Sequence, residues 1–264
     1  MAAPAAREPT PNLRRSLDVV RVLARSDLRL RYGRGDFRFL KWVMDPVAAL
    51  GVYLLLIAIV LDRTTEAPAL SLACAIVPFQ LVTTTMSNAL QSVTLRGSII
   101  INMSFPRMLI PASSLVTESV AFTATLGMLP LVMLAYGIGP TAAVLWLPVV
   151  LAVTAAFALS LAYPSALFGI WYPELQPFAG SVVRAMFFIA PGLIALDQIT
   201  GTTRELLPIN PLTGLFESFR DVLLYGQSPA AWQLLVPLGA AALLLAITVP
   251  IYRREEPALA KLVG

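Results

Sequence analysis

Side chains able to do chemistry are sparse in this sequence. Histidine is absent from all 264 residues, which removes the commonest metal ligand and the commonest general base near neutral pH. Zinc-hydrolase and histidine-triad chemistry fall away with it. The one cysteine, Cys74, sits inside an apolar run with no disulfide partner, and it reads as a buried small residue before a reactive thiol. Neither a Gly-x-x-x-x-Gly-Lys-Ser/Thr loop nor a Gly-x-Gly-x-x-Gly fingerprint occurs, so the chain has no phosphate cradle of these kinds. The near carboxylate pairs, Asp62 with Glu66 and Glu217 with Asp221, lie in short charged stretches beside Arg63 or Arg220. They make a poor case for a metal-dependent membrane enzyme, so no catalytic set and no metal site is expected.

Charges inside the apolar runs are equally few. Glu118 lies about two turns into the third run, and Arg184 about two turns into the fifth from the same side. They form a candidate intramembrane pair, either structural or lining a cavity. Asp45 and Asp197, at run boundaries, read as interfacial anchors. A carrier coupled to protons or sodium would need more ionisable groups near the midplane. This chain looks like a conduit whose energy arrives from elsewhere.

The elements that must position these groups are membrane helices. Hydrophobic residues make up 58% of the chain and charged ones 13%, with mean hydropathy +0.78, whereas soluble domains carry roughly 25% charged residues. A hydrocarbon core of about 30 Å takes ~20 apolar helical residues to cross. Six runs qualify: 43–61, 69–95, 108–136, 141–163, 178–196 and 229–252. The second is polar in its later half, at Thr83, Thr84, Thr85, Ser87, Asn88 and Gln91, so it should face helices or a cavity rather than lipid. Ten basic residues precede the first run, from Arg7 to Lys41. With Arg96, Arg107, Arg253, Arg254 and Lys261 they put both termini in the cytoplasm, leaving Arg63, Arg204 and Arg220 outside. The expected fold is an all-α membrane protein of six transmembrane helices. Residues 1–41 form a cytoplasmic segment, 42–252 the membrane domain and 253–264 a cytoplasmic tail. The N-terminus lacks the apolar core of a secretory signal.

Three segments outside the runs carry structure of their own. Over residues 12–32, Leu13, Leu17, Val20, Ala24 and Leu28 share one helical face, with Arg14, Asp18, Arg21, Arg25 and Arg29 on the next. That predicts an amphipathic interface helix in the membrane surface, against a solvated flank that merely sets topology. Loop 96–107 exposes Ile99, Ile100, Ile101, Met103 and Phe105, so it either folds back on the helix ends or docks into another protein. Residues 200–228 predict a helical hairpin outside. Asn210 and Pro211 supply its cap and first turn and Gly226 its stop. Leu212, Leu215, Phe216, Phe219, Val222 and Leu223 make one face, Glu217, Arg220 and Asp221 the other. Ser228 and Pro229 repeat the cap signal before the last run.

Three stretches in order resemble the permease subunits of type-2 ABC transporters that export polysaccharides. Leu28-Arg-Leu-Arg-Tyr32, then Trp42 and Asp45-Pro46, is similar to their entry segment. Asn102, Phe105-Pro106-Arg107 and Pro111 are similar to their coupling region, and Asn210-Pro211, Phe219-Arg220 and Tyr225-Gly226 before Pro229 to their final signature. The resemblance implies a homodimer working with two copies of a cytoplasmic ABC ATPase, which binds the ATP and Mg; this chain carries no cofactor. It implies a polyprenyl-diphosphate-linked glycan as cargo, such as O-antigen, teichoic acid or cell-wall galactan, and the cytoplasmic membrane as location. By the same resemblance Arg96, Ile99, Ile100, Asn102, Phe105, Pro106 and Arg107 couple to the ATPase as a coupling helix. Arg25, Arg29, Arg31, Tyr32 and Trp42 mark the interface helix and substrate entry; Asn210, Pro211, Phe216, Phe219 and Arg220 form an external gate. Tyr172-Pro173-Glu174-Leu175 stands where the family commonly has Arg-Asp-Leu, which changes the charge entering the fifth run.

Membrane lipids and the lipid-linked polysaccharide are the expected partners, and nucleic acid is not. Aromatic rings suited to stacking on sugars include Trp42, Tyr53, Phe79, Phe122, Tyr163, Phe168, Trp171, Phe187 and Phe188, several of which should line a pore. The alternative within the superfamily is an exporter of a drug or small lipid. An enzyme acting on polyprenyl phosphates is the alternative from another class.

Overall fold

The computed structural model describes residues 13–33, 67–95, 105–192 and 195–262, with positions 40, 44, 48, 51 and 52 between them. Every regular element among these residues is helical. Helix α1 is Leu13–Tyr32, α2 is Pro68–Leu95, α3 is Leu109–Leu126 and α4 is Met128–Ala135. A tight 3₁₀ turn at Ala142–Trp146 leads into α5, Leu147–Trp171. Then come α6, Gln176–Ile189, the short α7, Thr202–Leu206, α8, Pro211–Arg220, and α9, Ala231–Leu262.

Among the described residues, four stretches are long and apolar enough to cross a membrane: Pro68–Ser92, Leu109–Ala135, Ala142–Trp171 and Ala231–Glu255. The chain is a multi-pass membrane protein. The first expected run, 43–61, lies almost wholly outside the described residues; positions 44, 48, 51 and 52 are helical. The fifth is shorter than expected. Helix α6 has 14 residues, about 21 Å at 1.5 Å per residue, and ends before Pro191. The fourth and sixth run on beyond 163 and 252, to Trp171 and Leu262.

Helix α2 is the centre of the bundle, which answers to its polar later half. Leu70, Ala73, Cys74, Ala75 and Ala89 are fully buried, and α2 packs on α5, α3 and α8. Two of its hydroxyls turn onto their own backbone, Thr84 Oγ1 donating to the Gln80 carbonyl at 2.8 Å and Ser92 Oγ to that of Ala89 at 2.7 Å. Such back-bonding lets hydroxyls sit in an apolar bundle without an orphaned donor. The buried Thr85 hydroxyl, by contrast, has no hydrogen-bond partner among the described residues. Toward its end α2 meets α5 backbone to backbone. A Cβ at Gly169 would stand 1.9 Å from the Leu90 carbonyl oxygen, so only glycine fits this crossing.

The aromatic rings sort differently from the sequence expectation. Phe79, Phe122, Tyr163 and Phe187 are buried inside the chain's own core. Phe79 and Phe187 lie 5.0 Å apart between centroids, with Phe216 at 6.2 and 5.9 Å from them. Trp171 is exposed; Trp42 and Tyr53 and the Phe188 side chain lie outside the described residues.

Candidate functional site

Two buried polar junctions hold this bundle together, one toward each end. The first involves α1. Its docked face carries Val20, Leu23, Ala24, Asp27, Leu28 and Arg31, with Leu23 and Ala24 fully buried, while Leu17 is 49% exposed. The apolar face of α1 therefore turns partly toward α3 instead of wholly outward. Arg31 Nη1 donates to both Glu118 oxygens at 2.9 Å, and Glu118 is 3% exposed. Asn88 of α2 donates a further 2.9 Å bond to Glu118 Oε1 and takes one from Ser114 at 3.3 Å. Thr117 stands 3.2 Å from Asp27 Oδ2. Three helices meet on one carboxylate, whose charge is matched by a cation and an amide, as burial of a charge demands.

Glu118 was expected beside Arg184, whose side chain lies outside the described residues; the carboxylate's partners here are Arg31 and Asn88. That partner was invisible in the sequence because 87 residues separate it from Glu118. Arg25 and Arg29 stay exposed, and Tyr32 lies under the Arg31 guanidinium at 5.6 Å. Arg21, Val22, Ala24, Arg25 and Leu28 line an open groove of ≈ 370 Å³ against Val116 and Val120.

The second junction is built on α8. The Asn210 side chain caps it, accepting from the Leu212 amide at 3.0 Å, Pro211 takes the first position, and Gly226 closes it with φ +65°. Leu212, Leu215, Phe216, Phe219, Val222 and Leu223 are buried as expected. The opposite face is not polar surface. Arg220 is 0% exposed and Glu217 is buried too, so the face opposite the apolar one is also covered by protein. The Arg220 guanidinium spends its donors on five acceptors. Nε reaches the Ser71 carbonyl at 3.2 Å and hydroxyl at 3.1 Å. Nη1 reaches the Pro191 carbonyl at 3.0 Å and Glu217 Oε1 at 2.6 Å, and Nη2 the Gly192 carbonyl at 3.1 Å. Arginine suits this role because its planar fork serves several acceptors at once.

Burial pushes the Glu217 carboxyl above the usual carboxylate range, although Arg220 and the Leu196 amide pull it down. Asp221 is raised by burial as well, against a 2.7 Å bond from Gln233. The Tyr225 hydroxyl is pushed up to about 12 by burial and by Asp197. Gln233 also accepts from the Ala230 amide at 2.8 Å. The start of α9 is thus capped by a side chain three residues in, not by Ser228 and Pro229. A Cβ at Gly214 would stand 2.7 Å from the Gln233 carbonyl, so α8 and α9 touch directly.

Of the loop expected to couple to a partner, Arg96, Ile99, Ile100 and Asn102 lie outside the described residues. Phe105, Pro106 and Arg107 are described, and Phe105 packs back on Ile110. Tyr172-Pro173-Glu174-Leu175 forms an exposed tight turn joining α5 to α6. Tyr163 and Tyr252, which the sequence did not single out as a pair, stack edge to face at 5.6 Å.

No family model matches the chain. It is 26% identical over 239 residues to the O-antigen export system permease protein RfbA of Myxococcus xanthus, covering 89% of this chain and 92% of that protein. It is 24% identical over 216 residues to the protein of the same name from Klebsiella pneumoniae, covering 81% and 83%. The resemblance drawn from ordered short motifs therefore extends along most of the chain.

Proposed function

We propose that this chain is the membrane subunit of an ATP-driven ABC exporter that moves a polyprenyl-diphosphate-linked polysaccharide across the cytoplasmic membrane. The similarity to O-antigen export permeases over nearly the full length carries this reading. Two copies of the chain would form the conduit, each bound to a separate cytoplasmic ATPase that supplies ATP and Mg chemistry. Six spans per copy follow if 43–61 crosses and α6 completes its crossing with the residues after it. The end of the bundle holding residues 95–108 and the tail is then cytoplasmic, and the α8 hairpin lies at the external mouth.

The two junctions fit that division. Arg31 and Glu118 fasten the basic interface helix to α3 and α2 near the cytoplasmic side, where a lipid-linked substrate enters. Arg220 fastens the external gate to the start of α2 and to the break after α6. Loop 96–107 docks on the ATPase, and its isoleucines are then buried in a complex instead of in water.

Depleting the protein while glycan synthesis continues should trap lipid-linked glycan in the cytoplasmic leaflet. A trapped species without a sugar polymer would overturn the glycan assignment in favour of a drug or small lipid. The docking claim is checked by co-purification: Ile100→Glu should abolish recovery of the ATPase with the permease.

A further inference from the structure

Two side chains distant in sequence hold the backbone where the chain enters α3. Met108 is the N-cap of α3, so the Arg107 carbonyl lies ahead of the helix ladder, and Pro111, four residues on, has no N–H that could extend the ladder back to it. The Arg107 carbonyl instead takes the Ile110 amide at 2.9 Å and the Tyr252 hydroxyl at 3.4 Å. The next carbonyl, of Met108, receives the Tyr163 hydroxyl at 3.2 Å. These tyrosines come from α9 and α5, and both are buried, Tyr252 at 0% exposed. Their rings are fixed against each other and packed with Ala89, Ala162, Ala166 and Leu167. Helix α2, which ends at Leu95, meets α5 closely where Leu90 stands against Gly169. Phe105 and Ile170 of α5 both pack against Ile110 of α3.

We infer that Tyr163 and Tyr252 are positioning residues that form a joint, tying the loop's exit to α5 and α9 so that a push on the loop moves those helices as one body. The inference rests on the reading of loop 96–107 as the ATPase-docking segment. A buried tyrosine needs one partner for its hydroxyl, and any carbonyl would satisfy that. Here two tyrosines from different helices select consecutive carbonyls at the point where the loop enters α3.

The test uses Tyr163→Phe, Tyr252→Phe and the double variant in the full chain, reconstituted with its ATPase. Phenylalanine keeps the stacked rings and removes only the hydroxyls. Hydrogen exchange at amides 107–110 should rise about fivefold for each hydroxyl lost, the worth of one neutral hydrogen bond. ATP consumed per glycan exported should rise severalfold in the double variant, with assembly and basal hydrolysis unchanged. Unchanged exchange would overturn the joint. Faster exchange at an unchanged ATP-to-glycan ratio would overturn its role in coupling. If Ile100→Glu still binds the ATPase, the docking reading fails, and the exchange measurement still decides the joint.

Discussion

Arg220 is the residue on which the hairpin end depends. Replacing it with alanine would leave Glu217 as an unpaired buried carboxylate, and the Pro191, Gly192 and Ser71 carbonyls would lose donors. Breaking one side of such a buried pair costs about 3–5 kcal/mol. Arg220→Ala should therefore lower the thermal unfolding midpoint of the purified protein steeply, and Arg220→Ala with Glu217→Gln should recover part of the loss. Asp221 gives a pH dependence of known sign. Its carboxyl is raised in the folded protein, chiefly by burial, so the folded state holds the proton longer than the unfolded one does. The stability it contributes is full below the unfolded carboxylate range and is lost as pH rises through the raised value. Thermal unfolding followed across mildly acid to neutral pH should show that decline, and Asp221→Asn should reduce it, leaving the part that the raised Glu217 carboxyl contributes.

At the scale of elements, the close crossing of α2 and α5 is set by a missing side chain. Any Cβ at Gly169 overlaps backbone, not a flexible side-chain tip, so the helices must separate to accept one. Gly169→Val should destabilise the protein by about 1–3 kcal/mol, the usual cost of overpacking, read as a lower unfolding midpoint in detergent. It should also loosen the loop end before the hairpin end, which site-resolved hydrogen exchange would show. Helix α1 teaches a related lesson about faces. The sequence placed its apolar stripe correctly within a residue or two, yet α1 spends part of that stripe, with Asp27 and Arg31, on α3 instead of on the membrane surface. Hydrophobic periodicity reports that a face is buried and is silent on whether lipid or protein covers it.

For the whole molecule, topology is the decisive test. Cys74 is buried, and in a Cys74→Ala background single cysteines make the orientation measurable. Cysteines at Arg14 and Arg254 should react with a membrane-impermeant thiol reagent from the cytoplasmic side. One at Gln227 should react from outside, and the opposite pattern would invert the assignment. The sequence by itself determined the class of this protein. Long apolar runs can be satisfied only as membrane helices, because backbone groups in hydrocarbon must bond within their own segment, and caps such as Asn210 and stops such as Gly226 are local events. The tertiary structure decided which charges are surface and which are keystones. Arg220 meets Ser71 across 149 positions and Arg31 meets Glu118 across 87. A charge's partner at such distance depends on how helices stack, and helical periodicity extends only a few turns.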